Sequence, residues 1–178
     1  MSRIQPVRPE TADPKTAELL SGVKKKLGMV PNLVSTMAQS RAVANAYLGF
    51  SQALAGGSLP PRLREQIALT VGQANECGYC IAAHSTIGQK VGLSPTEVTQ
   101  ARQGASTDAK DKAALVFARK LVDQRGRVTD AELDQVRQAG FGDGEVSEIV
   151  ANVALNLFTN YFNHVADTEI DFPAPPHP

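Results

Sequence analysis

From Pro14 to Asn163 the apolar residues recur at the three- and four-residue intervals of a helix. No run of alternating β-branched or aromatic residues stands between turn signals. This period disfavours a sheet and predicts an all-α fold. With 178 residues, 42% of them hydrophobic, the chain is long enough to bury one substantial core. We read residues 1–178 as a single domain, an all-α helical bundle with its core over about 14–165 and an extended Pro-rich tail over 172–178.

Start and stop signals place the helices. A first spans about Pro14 to Leu27 and closes at Gly28; Val30-Pro31-Asn32 then opens a long helix ending near Gly56-Gly57. Leu59-Pro60-Pro61 opens the next, which carries Ile67, Leu69 and Val71 and runs to about Glu76. Gly78 allows a break, and Ile81 to Val91 forms a following helix closed by Gly92. Ser94-Pro95-Thr96-Glu97 and Thr129-Asp130-Ala131-Glu132 have the hydroxyl-to-carboxylate spacing of a capping box and start two more, with Asp111 to Arg125 between them. Gly140-Phe141-Gly142-Asp143-Gly144 lacks the preceding strand and the spacing of a phosphate loop, and reads as an interhelical turn.

The last helix, about Glu145 to Asn163, carries Asn152, Asn156, Asn160 and Asn163 on one face, opposite Ile149, Val153 and Leu157. Four amides are costly to bury unpaired, so this face is expected to line a polar subunit interface. The tail Phe172-Pro173-Ala174-Pro175-Pro176-His177-Pro178 cannot continue as helix and is expected to fray or to lie on a neighbour. Lys24-Lys25-Lys26 reads as a solvated face.

Charge narrows the partners. Lysine plus arginine and aspartate plus glutamate each number 18, so no global field draws the chain to nucleic acid or to an anionic membrane. The N-terminal stretch has no continuous apolar segment of the kind that directs secretion, and nothing approaches the roughly 20 apolar residues that span a bilayer. The expectation is a cytoplasmic protein with no membrane contact. In that reducing compartment a paired cysteine is more often catalytic, redox-sensing or metal-binding than structural.

Both cysteines lie in Glu76-Cys77-Gly78-Tyr79-Cys80-Ile81-Ala82-Ala83-His84. Three readings of Cys77 and Cys80 are open. They are buried thiols filling a packing gap; or they bind zinc with His84 and a fourth ligand from Glu65 or Glu76; or they form a dithiol redox centre. The surroundings support the last. A thiolate is the reactive form, favoured near a helix start and a cationic imidazole. Cys80 and His84 are four apart and share a helix face. Glu65 in the preceding helix is placed to orient His84, or else simply pairs with its own helix dipole. His164 either reaches a site or caps a helix end.

Arg64-Glu65-Gln66-Ile67-Ala68-Leu69 followed by Asn75-Glu76-Cys77-Gly78-Tyr79-Cys80-Ile81-Ala82-Ala83-His84 resembles the core motif of the AhpD-like alkylhydroperoxidases of the carboxymuconolactone decarboxylase superfamily. Gly28-Met29-Val30-Pro31-Asn32 and Asn160-Tyr161-Phe162-Asn163-His164 resemble its peroxidase-related branch, so the likeness covers nearly the whole chain. The resemblance implies a helical homotrimer or homohexamer that reduces hydroperoxides. It makes Cys80 the attacking cysteine, Cys77 the resolving one, and Glu65 with His84 the proton relay. It implies no metal or organic cofactor, and an external dithiol as reductant. Tyr79 stands where the best-known members carry a histidine, as a relay or cleft residue; a phenol is a poor base near neutral pH. A thiol-disulfide oxidoreductase with little peroxide turnover, and a redox-sensing oligomer without enzymatic activity, are the alternatives.

Overall fold

The computed structural model describes residues 2–176; positions 177 and 178 of the expected tail lie outside the described residues. Among the described residues there are nine α-helices, one short 3-10 turn (Pro9–Thr11) and no strand. The helices are α1 (Pro14–Leu27), α2 (Asn32–Met37), α3 (Arg41–Ala55), α4 (Pro61–Ala74), α5 (Gly78–Lys90), α6 (Pro95–Arg102), α7 (Ala109–Asp123), α8 (Asp130–Gln138) and α9 (Asp143–Ala166).

Local chemistry accounts for most boundaries. Asp13 caps α1 by accepting from the Lys15 and Thr16 amides, and Gly28 ends it in the left-handed conformation at φ 80°, which a glycine adopts at little cost. Both expected capping boxes are formed, Ser94 with Glu97 on α6 and Thr129 with Glu132 on α8. The glycine-rich segment from Gly140 is the turn from α8 into α9.

One expected helix is two. The segment from Asn32 to near Gly56 breaks after Met37: the Gln39 and Ser40 amides bond only three residues back, and Ser40 is extended. No glycine or proline marks this break. It arises because Leu33 to Met37 are all buried while most of α3 faces outward, so the chain must change direction to bury the first piece.

Helix α4 is the centre of the molecule and packs against α5, α6, α7 and α9. Its apolar residues surround the helix axis instead of forming a stripe, with Leu63, Ile67, Leu69 and Val71 all buried. Each such side chain contributes about 1.5–3 kcal/mol of apolar burial. These residues join α6, α7, α8 and α9 in the larger core through Val98, Leu115, Val136 and Ile149. A second cluster gathers Leu20, Val23, Leu33, Val34 and Met37 around Cys77, Tyr79 and Cys80. The cysteines therefore sit inside a small apolar core of their own, beside the main one.

Helix α9 departs from expectation. Asn152, Asn156, Asn160 and Asn163 are buried within the chain, as are Ile149 and Val153, so the amide face is interior and not a subunit interface. Its solvent face instead carries Val150, Phe158, Tyr161 and Val165, the last two 58% and 64% exposed. The tail is corrected too. Residues 167–176 fold back on their own chain: Asp171 accepts from the Asn32 amide at 2.7 Å, Phe172 meets Tyr79 edge-on at 5.7 Å, and the Pro176 carbonyl accepts from Arg102 at 2.9 Å.

Candidate active site

The bend between α4 and α5 presents both cysteines. The Cys77 amide bonds to the Gly72 carbonyl and the Glu76 amide to the Gln73 carbonyl, the paired closure of a Schellman motif. Its left-handed residue is Glu76, at φ 55°, where glycine is usual. Gly78, the expected break, is instead the first residue of α5. Asn75 secures the bend by donating to the Val71 carbonyl and, at 2.9 Å, to Asn160 on α9.

Cys77 is the N-cap of α5, and its sulfur accepts from the Cys80 amide at 3.4 Å. Cys80 lies in the first turn. The two are joined as a disulfide and are 1% and 2% exposed. One turn further on, His84 Nδ1 lies 2.7 Å from Glu65 Oε2. A carboxylate only accepts, so Nδ1 carries the hydrogen and Nε2 is left free to take or give a proton. Gly88 leaves room for Leu93 at this level: a Cβ there would come within 2.9 Å of Leu93 Cδ1, while Glu65 Cβ on α4 would stand in ordinary contact at 3.7 Å.

Cys80, Glu65 and His84 share the wall of a cleft of about 640 Å³. The rest of the lining is mainly apolar, from Leu19 and Val23 on α1, Leu33 and Val34 on α2, Leu48 on α3, and Phe172 on the tail. Lys26 reaches the same cleft from an exposed position, while Cys77 is not in its wall. A second cavity of about 160 Å³ shares Tyr47, Glu65, His84 and Thr159 with the first and is lined also by Arg64, Asn152 and Asn156. The carboxylate–imidazole pair thus stands between an apolar chamber and a more polar one.

Two phenols border the site. Burial, and secondarily the Glu65 carboxylate, push Tyr47 up to about 12. Burial likewise raises the Tyr79 phenol, against the lowering effect of the Leu33 amide, and the Asp171 carboxylate raises it further. The Tyr79 hydroxyl accepts from that amide at 3.1 Å, so Tyr79 lines the cleft with its polar end engaged at the start of α2.

The structure brings Glu65, Cys77, Cys80, His84 and Tyr79 together. Glu65 pairs with His84 and lies beyond the first turn of α4, which removes its reading as a dipole partner. Glu76 and His164 are exposed, His164 in the last turn of α9. Among the described residues no three histidine, cysteine, aspartate or glutamate side chains are grouped as a metal site would need. Sequence reasoning gave no role at the sulfur to Asn163, whose Nδ2 donates to Cys80 Sγ at 3.3 Å. Its membership in the asparagine stripe was the available signal.

Residues 41–124 match the profile of the Carboxymuconolactone decarboxylase family. No curated protein matches the chain by sequence. Among solved structures, an uncharacterized peroxidase-related protein from Ralstonia eutropha JMP134 with an alkylhydroperoxidase AhpD core is 25% identical. It superposes with a TM-score of 0.87 over 96% of this chain and 92% of that one. The debrominase Bmp8 in complex with 2,3,4-tribromopyrrole shares the fold at 23% identity and a TM-score of 0.81, over 96% and 92% of the two chains. So does an uncharacterized peroxidase-related protein from Silicibacter sp. TM1040, at 24% identity and a TM-score of 0.81, over 94% and 92%. Helical architecture, cysteine-pair motif and the profile matched over residues 41–124 together support the AhpD-like carboxymuconolactone decarboxylase superfamily as the class of this chain.

Proposed function

We propose that the chain is a dithiol-dependent peroxidase for organic hydroperoxides with apolar bodies. The observation that carries this reading is the placement of Cys80 in an apolar cleft beside the His84–Glu65 pair, with Cys77 within bonding reach behind it. Reduced Cys80 gives its proton to His84 Nε2, and Glu65 holds the imidazolium that results. The thiolate attacks the hydroxyl-bearing oxygen of the peroxide: an S–O bond forms, the O–O bond breaks, and sulfur supplies two electrons. The departing alkoxide takes the proton back from His84 and leaves as the alcohol.

Cys77 then attacks the Cys80 sulfenic acid. The S–S bond forms, the S–O bond breaks, and hydroxide leaves with the Cys77 proton as water. An external dithiol reduces the disulfide by thiol exchange and is itself oxidised. The cycle needs a compartment that keeps dithiols reduced, in keeping with the expected cytoplasmic location. Burial of both sulfurs favours a small-molecule oxidant over a protein disulfide, and the more polar second cavity offers water a route to the relay. The exposed apolar face of α9 supports assembly as a homotrimer or homohexamer.

The test is consumption of cumene hydroperoxide with several small dithiols. Cys80→Ser is expected to fall to background, and Glu65→Gln to lose about tenfold or more in kcat/KM with its fold intact. Cys77→Ser is expected to retain one round of attack and accumulate a dimedone-reactive sulfenic acid. Wild type indistinguishable from Cys80→Ser with every dithiol would overturn the reading; turnover of insulin disulfides without turnover of peroxide would replace it by thiol-disulfide exchange. A bromopyrrole belongs in the same assay because the debrominase shares this fold.

A further inference from the structure

We propose that Asn163 is a catalytic residue: its side-chain amide donates a hydrogen bond to the Cys80 sulfur and holds the reduced sulfur as thiolate. This rests on the reading of Cys80 as the attacking cysteine. Asn163 lies on α9, far from the cysteines in sequence, and is buried with its Nδ2 3.3 Å from Cys80 Sγ. The direction of the bond follows from the chemistry. A disulfide sulfur has no hydrogen to give, so the amide must face it with its NH2 group. The other end, Oδ1, is buried without a partner.

A half-satisfied buried amide is a costly way to fill space. An apolar side chain would pack against a disulfide without that penalty, so a purely structural account does not explain the residue. A thiolate does. A hydrogen bond to a charged acceptor is about twice as strong as one between neutral groups, so the donor counts for most in the reduced, ionised state. It also arrives from outside α5, where it adds to the helix start that already favours an anion at this turn.

The other ionisable groups around Cys80 come from every packed element: Cys77, Tyr79 and His84 on α5, Glu65 on α4, Tyr47 on α3, Asp171 on the tail, and Lys26 at the cleft rim. None is altered by substituting Asn163. A change in Cys80 acidity in such a variant therefore reports the amide.

The experiment uses the reduced full chain in a Cys77→Ser background, so that Cys80 is the only thiol. Its ionisation is followed by the pH dependence of iodoacetamide alkylation. Asn163→Ala and Asn163→Leu are expected to raise the Cys80 pKa by about one unit, which lowers the alkylation rate by about tenfold at pH values well below that pKa. Asn163→Asp is expected to raise it further by adding a negative charge. If the variants are too unstable to assay, the side-chain amide resonances of Asn163 in otherwise unaltered protein must titrate in step with Cys80. Coincident alkylation profiles in folded variants, or an amide that does not respond to Cys80 ionisation, overturn the proposal. Because alkylation needs no peroxide, this outcome is independent of whether hydroperoxide is the substrate.

Discussion

Tyr79 shows how far a residue's role depends on what it meets. Its position between the cysteines suggests a part in proton transfer, yet its hydroxyl accepts the second amide of α2, and Asp171 accepts the first. Pro31, at the N-cap of α2, has no side chain able to do this, so two distant residues serve as caps. Tyr79→Phe should leave the Leu33 amide buried and unpaired and lower stability by about 1–3 kcal/mol. Thermal or denaturant unfolding reads this directly. Peroxide turnover, if Tyr79 is structural, changes by no more than a few-fold; loss of turnover with unchanged stability would return the phenol to the relay. The place of His84 beside Cys80 was legible at this scale because helical spacing puts His84 one turn after Cys80. The approach of α4 that brings Glu65 within 2.7 Å was not.

At the scale of elements, local signals located both capping boxes and the close of α1, since these depend on neighbours a few residues away. The α2–α3 break depends on long-range packing and no local residue announces it, whereas the α4–α5 bend was expected from Gly78 and turns instead at Glu76, just before it. The turn from α3 to α4 is also held by a distant residue. Glu148 on α9 accepts from the Ser58 and Leu59 amides at 2.8 and 3.0 Å, and its carboxylate occupies the space a Cβ on Gly57 would need.

These amide bonds, that from Ser58 first, hold the Glu148 carboxyl below its ordinary 4.5. A depressed folded-state pKa means stability present above the unfolded value and lost as pH falls through the folded one. Glu148→Gln should therefore be less stable than wild type at pH 7, and the difference should fade as the pH is lowered through about 4 and below. Denaturant unfolding at several pH values measures it. A difference that stays constant with pH would show that the charge of Glu148 plays no part in holding this turn.

For the whole molecule, α9 joins the two clusters and carries apolar residues on both its inner and its outer side. Its amides turn inward, where Asn160 receives Asn75 and Asn163 reaches Cys80, and its apolar stripe turns outward. A stripe of this kind marks a surface for association. Phe158→Asp, or Val165→Asp, is expected to shift the protein to a smaller species in sedimentation velocity with helical content preserved. An unchanged mass for both variants would remove this face from the proposed assembly.

The sequence by itself determined what short-range chemistry governs: the all-helical class from the period of apolar residues, the caps from hydroxyl and carboxylate spacing, and the Cys77, Cys80 and His84 cluster from contiguity. Only the tertiary structure decided which face of α9 is inside, where the tail lies, and which side chains close on the sulfur. These outcomes depend on contacts between residues far apart in sequence, 83 positions for Asn163 and Cys80. A polar stripe is compatible with water or with a buried network, and only the partners the fold supplies choose between them.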